Sequence, residues 1–321
     1  VNFSKPSPLV MAQLEDQSDV IGRILAIQAL SKNKSQKTID ALRQCLASDP
    51  FHGVRMEAAD ALKSIHTVEA LDALLESSVQ SDARVRLRVQ SAIGGFYNPR
   101  ALESAMKTIR SESNPTIINT AMRSLSGYGS SEIGSILLQY LRKPSYRNTH
   151  AESAIAAMEK QDNPVFIMPI LETLMERKGL FSTRGMVNAL SSLAYLGRHQ
   201  DDKSMLLSFI AGRLQDPKSA VRSGAIRALA TLKDPKAIAI LEKWMSADSD
   251  SPEYKAAQTA ISTLRKMALP GEDLKGLRNK IQTMESDQKL MHTDLIDLKK
   301  KMEALSTKPV QKETSVEEGS E

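Results

Sequence analysis

The side chains able to do chemistry are few in this sequence, and their spacing argues against an active site. Five histidines, His52, His66, His150, His199 and His292, are the natural metal ligands. Two zinc-binding histidines on one helix must share a face, as in a His-Glu-x-x-His motif, and no pair here has that spacing. His52 near Asp49, or His66 near Glu69, supplies only two donors, so both read as turn or surface histidines. Cys45 is the single cysteine, which excludes an intrachain disulfide and any Cys-based zinc site. It sits in Ala41-Leu42-Arg43-Gln44-Cys45-Leu46, an apolar helical pattern that predicts a buried, inert thiol.

Nucleotide and acyl-transfer chemistry find no better footing. No phosphate-binding Gly-x-x-x-x-Gly-Lys loop occurs; Gly94-Gly95 and Gly127-Tyr128-Gly129 are placed to end helices as glycine C-caps. Ser124-Leu125-Ser126-Gly127-Tyr128 is the nearest look-alike of a Gly-x-Ser-x-Gly nucleophile elbow and reads as a helix end. The acidic pairs Asp201-Asp202 and Glu317-Glu318 read as solvated charge. Arg84, Arg86 and Arg88 form a basic cluster, expected to spread round its helix without an aromatic to stack bases. We therefore expect no catalytic, metal or cofactor residue in this chain, and nucleic-acid binding is the lesser alternative.

The elements that would carry these residues form a repeat. A Val-Arg or related pair is followed by an Ala-Leu pair in Gly22-Arg23 to Ala29-Leu30, Val54-Arg55 to Ala61-Leu62, Val85-Arg86 to Ala92-Ile93 and Val221-Arg222 to Ala228-Leu229. Weaker copies put Ile118, Asn148, Thr183 and Tyr254 at the Arg position. The eight registers are 30 to 39 residues apart. In each, apolar residues recur with helical period, and a shorter second helix follows, as in Ala70–Leu75, Ile133–Leu138 and Ala237–Leu241. Dipeptides such as Asp49-Pro50, Asn98-Pro99, Asn114-Pro115 and Asp216-Pro217 separate the helices, because proline stops one and suits the first turn of the next. The expectation is an all-α, right-handed HEAT-type α-solenoid of about eight helical hairpins over residues 1–271, binding a protein or polypeptide on a concave face lined by the second helices.

In the strongest units an Asp precedes the Arg: Asp19 and Arg23, Asp49 and Arg55, Asp82 and Arg86, Asp216 and Arg222. An Asp near a helix start caps free N–H groups, and the Arg can reach the Asp of a neighbouring repeat, so we expect a structural Asp/Arg ladder along the turns, the functional alternative being an anion-binding row. After Leu269-Pro270-Gly271 the period changes. Leu274, Leu277, Ile281, Met284, Gln288, Met291, Leu295, Leu298, Met302 and Leu305 alternate three and four apart, a coiled-coil seam over residues 272–305 suited to self-association or partner pairing, the alternative being a cap folded back on the solenoid. Residues 306–321 are polar and acidic, which predicts disorder.

Composition agrees with this reading. Hydrophobic residues make up 41% of the 321 and aromatics only 4%, so helices pack through Ala, Leu, Ile, Val and Met. The formal charge is +5, and the repeats carry +7 of it, since residues 272–305 balance and the tail is net −2. That favours acidic partners. No run is long and apolar enough to span a membrane. Unoxidised cysteine usage fits the cytoplasm, and Val1 in place of Met reads as a fragment or processed product.

One family resemblance rests on particular residues. Phe3-Ser4-Lys5-Pro6 with Leu14–Ile24, and Asp49–Ala59, resemble the start of the C-terminal helical-repeat region of M1-type zinc aminopeptidases, where an aromatic more often replaces His52. The resemblance is clearest over residues 1–100 and becomes generic HEAT character beyond. It implies a parent zinc exopeptidase, or an inactive relative, whose zinc ligands and general base match no position here. The implied job of this part is packing against catalytic domains or binding partners.

Overall fold

The computed structural model describes residues 7–177, 179–247, 251, 253–268, 280–289, 291–296 and 298–299, and every regular element among them is helical. A short helix α1 (Pro8–Gln13) leads into seven hairpins. The first four are α2 (Val20–Leu30) with α3 (Gln36–Ser48), α4 (His52–Ile65) with α5 (Val68–Glu76), α6 (Ala83–Ile93) with α7 (Pro99–Ser111), and α8 (Pro115–Ser124) with α9 (Ser131–Arg142). The others are α10 (Thr149–Gln161) with α11 (Ile167–Glu176), α12 (Thr183–Gly197) with α13 (Ser204–Ala211), and α14 (Ser219–Leu232) with α15 (Lys236–Ala247). Helix α16 (Tyr254–Ala268) carries the eighth copy of the motif, so the described residues hold seven complete hairpins and the opening helix of another.

The chain divides into two compact units, Val1–Ser262 and Thr263–Glu321. The expected boundary at 271 and the acidic tail lie outside the described residues, as do Leu274, Leu277, Met302 and Leu305 of the seam. In the second unit, residues 280–289, 291–296 and 298–299 are helical. No helix among the described residues is long and apolar enough to cross a membrane.

Helix starts follow from local chemistry. Asp19 accepts from the Gly22 N–H at 2.8 Å, Asn98 from Arg100 and Asn114 from Thr116 at 2.9 Å, each satisfying a donor with no partner inside its helix. Pro99 and Pro115 sit at N1, where the missing N–H removes no bond. Helix ends depart from expectation. The left-handed turns fall on His66 (φ 54°), Asp162 (φ 48°) and Lys233 (φ 55°), and no described glycine has positive φ. Gly94 ends α6 in right-handed geometry, and a Cβ there would lie 2.7 Å from Ser124 Cβ. Its smallness serves the approach of α6 to α8, not a turn.

The helices form two layers of unequal tightness. The motif-bearing helices α2, α4, α6, α8, α10, α12 and α14 each touch the next without a break. They bury several sides at once; α4 hides Val54, Ala58, Ala59, Ala61, Leu62 and Ile65. In the second layer α3 touches α5 and α5 touches α7, but α7 and α9, like α11 and α13, barely meet. Alanine explains the difference, because a methyl side chain lets neighbouring backbones approach. At Gly224 even a Cβ would come within 3.0 Å of Val187 on α12.

Candidate binding groove and the arginine row

The arginines of the repeat motif do two things at once. One edge of each guanidinium turns back to carbonyls of its own turn: Arg23 to Asp16 O at 2.6 Å, Arg86 to Gln80 O and Ser81 O, and Arg222 to Asp216 O and Pro217 O. The other edge reaches the following repeat. Arg23 Nε lies 2.9 Å from Asp49 Oδ2, Arg86 Nε 2.9 Å from Glu112 Oε2, and Arg222 Nη2 3.0 Å from Glu253 Oε1. The Arg86 hydrogen bond holds the Glu112 carboxyl below its ordinary range. Arg55 reaches only Asp49 O and Pro50 O, and its buried Nε has no partner.

The remaining carboxylates of the expected ladder stay local. Asp19 caps α2, Asp82 pairs with Arg84 at 2.6 Å, and Asp216 accepts from the Lys218 N–H at 3.0 Å. Asp82 is not reached by Arg55, because the position six residues before Arg86, where Asp49 precedes Arg55, is Gln80. Glu112 occupies the same offset before Ile118 and was readable from it; Glu253 follows no such offset. In the middle repeats Arg142 and Arg177 stand at that offset before Asn148 and Thr183, and Arg177 donates to the Arg142 carbonyl.

The histidines do not converge, and no three His, Cys, Asp or Glu side chains cluster among the described residues. His52 opens α4 against Phe51, His66 stacks on Phe96 at 4.4 Å, and His199 and His292 are exposed. His150 is buried, with Nδ1 2.6 Å from Asn119 Oδ1 and its ring edge-on to Tyr140. Burial, with Lys143 nearby, pushes its pKa down. The unfolded chain therefore takes up this proton at higher pH than the folded chain. The stability due to neutral His150 is present above about pH 6.5 and lost as pH falls toward the folded value. Denaturant unfolding at pH 7.5 and 5 should show a loss that His150→Gln removes; an equal loss in both proteins would refute it. Cys45 is also buried, and desolvation followed by the charge of Asp49 pushes its thiol up to about 11. Native protein should resist iodoacetamide and react fully only in denaturant, since the thiolate is the nucleophile.

The groove that could hold a ligand lies elsewhere, on the first-helix layer. Met56 of α4, Arg84, Leu87, Arg88, Gln90, Ser91 and Gly94 at α6, and Thr116, Thr120, Arg123 and Ser124 of α8 enclose about 610 Å³. No carboxylate lines it. Arg84 and Arg88 are one helical turn apart and share this face, whereas Arg86 points to the turns, so the three do not line one stripe. Arg88 faces Asp60 at 3.4 Å, and desolvation holds that carboxyl above its ordinary range despite the arginine. Arg123 donates only to the Ser153 and Thr120 hydroxyls and has no carboxylate partner. Gln90 is 4% exposed; its Oε1 accepts from Thr108 Oγ1 at 2.9 Å, and its Nε2 is buried without a partner. In either amide orientation one polar atom stays unpaired.

A family model for HEAT repeats matches residues 7–94 and 186–265, together more than half of the chain. The chain belongs to the HEAT-repeat family. Among similar solved structures of HEAT-like form is YibA of E. coli, at 18% identity over 81% of this chain and 92% of that one, with a TM-score of 0.56. The karyopherin Kap121p bound to Ste12p aligns at 14% identity and TM-score 0.60 over 79% of this chain, and its complex with the SUMO protease Ulp1p at 0.61 with the same identity and coverage. This HEAT-repeat chain spans about a third of those Kap121p chains, 32% in each. No curated protein matches. None of these comparisons supports the aminopeptidase resemblance.

Proposed function

We propose that this HEAT-repeat protein is a non-catalytic scaffold that binds an acidic stretch of extended polypeptide in the groove across α4, α6 and α8. The observation that carries the reading is the groove itself: three arginines, no lining carboxylate, and a buried Gln90 amide with an unused donor. An unpaired buried donor is unfavourable unless something visits it, and a backbone carbonyl or side-chain carboxylate meets that need. Hydroxyls of Thr116, Thr120 and Ser91 offer further polar contacts, while Met56 and Leu87 provide an apolar floor.

The first helices sit closer together than the second, and in a curved stack the more closely spaced layer is the inner one. That spacing supports reading the motif-bearing helices, and not the second helices, as the binding face. The Kap121p complexes lend support by analogy, since one is bound to the extreme C-terminus of the phosphatase Cdc14p. Nucleic acid is the weaker reading because no aromatic ring lines the groove to stack on a base.

Fluorescence anisotropy with a labelled peptide of alternating Glu and Gly tests the proposal against a Lys-Gly peptide and a single-stranded oligonucleotide. Saturable binding of the acidic peptide, weakening with salt, is expected. Tighter binding of the oligonucleotide would favour the nucleic-acid reading, and no binding of either anion would overturn both.

A further inference from the structure

We infer that residues 280–299 pair with the same segment of a second copy of this chain, as a parallel, in-register coiled coil. The described helical residues expose Ile281, Met284, Met291, Leu295 and Leu298, each at least half accessible. Together with Gln288 they follow the alternating three-and-four spacing of a heptad seam, with Ile281, Gln288 and Leu295 at a and Met284, Met291 and Leu298 at d. A stripe this narrow and apolar suits one partner helix of the same kind.

Flanking charge identifies the partner and its direction. In a parallel pair each g residue meets the e residue five positions further along its partner. That offset opposes Lys280 to Glu285 and Asp294 to Lys299, opposite charges, and Asp287 to His292, a donor and acceptor able to hydrogen-bond, each made twice by two-fold symmetry. The sequence continues the rule upstream with Asp273 and Arg278. An antiparallel pair with the same seam fully overlapped would set Asp287 against Asp294 twice along one flank, like against like. Gln288 faces itself across the parallel pair, where two side-chain amides bond each other and penalise a shifted register.

Sedimentation equilibrium on the full chain should give twice the chain mass of 35.3 kDa at tens of micromolar. Leu295→Glu should reduce it to the single-chain mass. Glu285→Lys should weaken the dimer about tenfold, since two attractions become repulsions, and adding Lys280→Glu should restore it. Leu298→Cys should crosslink to itself on oxidation, which only the parallel arrangement allows. A monomeric wild type, a dimer indifferent to Leu295→Glu, or a dimer without the Leu298→Cys crosslink would each overturn the inference.

Discussion

Replacing Arg23 with Met should destabilise the N-terminal repeats by about 3 kcal/mol, the largest effect expected of any single side chain described above. Arg23 is 1% exposed and Asp49 6%, so the variant strands a buried carboxylate that keeps only the Phe51 N–H among its bonds. It also frees the Asp16 carbonyl, which Arg23 Nη1 holds at 2.6 Å. Asp49→Asn alone should be comparably harmful, because it leaves the guanidinium charge buried. The double variant Arg23→Met with Asp49→Asn should recover most of the loss, since removing both charges avoids the unpaired one. Arg55→Met is the control and should cost below about 1 kcal/mol, as Arg55 touches carbonyls alone. Hydrogen exchange is the suitable measurement because repeats open locally. Protection should fall in α2 to α4 and hold in α12 to α14; loss spread evenly along the chain would contradict the argument.

Arg123→Glu should lower the affinity for the acidic peptide by about 2 kcal/mol, roughly thirtyfold, without lowering the melting temperature. The asymmetry follows from its partners. Arg84 and Arg88 each have a nearby carboxylate, Asp82 and Asp60, that already compensates part of their charge. Arg123 has only hydroxyls, so its charge is uncompensated and its removal breaks no ion pair. Gln90→Leu separates a ligand-seeking amide from a packing flaw. Both readings allow equal or higher stability once the unpaired donor is gone. Only the first adds weaker peptide binding, by about fivefold. Unchanged affinity in both variants would remove the groove from consideration.

The repeat architecture was legible because its cause is periodic. Motif arginines, paired apolar residues and Asn-Pro or Asp-Pro turns recur together, and each appears in the structure as a helix, a core or a cap. What escaped the sequence is what depends on spacing between helices. The pattern does not tell which layer packs closer, and it is that spacing which bears on the choice of binding face. Gly94 illustrates the same gap, since a turn-former and a contact-former look alike until Ser124 is placed opposite. The shared face of Arg84 and Arg88 was available from helical arithmetic alone. The missing partner of Arg55 was also readable, from Gln80 at the offset where Asp49 stands one repeat earlier.

The unequal layers have a mechanical consequence. A strip stitched tightly along one edge and loosely along the other bends about the stitched edge. Continuous contact from α2 to α14 acts as that inextensible edge, and the joints between α7 and α9 and between α11 and α13 are the slack ones. Stretching or recoiling this spring would fan the second helices apart while the distances among α4, α6 and α8 hardly change. Tension delivered to the ends would then be absorbed without widening the groove across α4, α6 and α8.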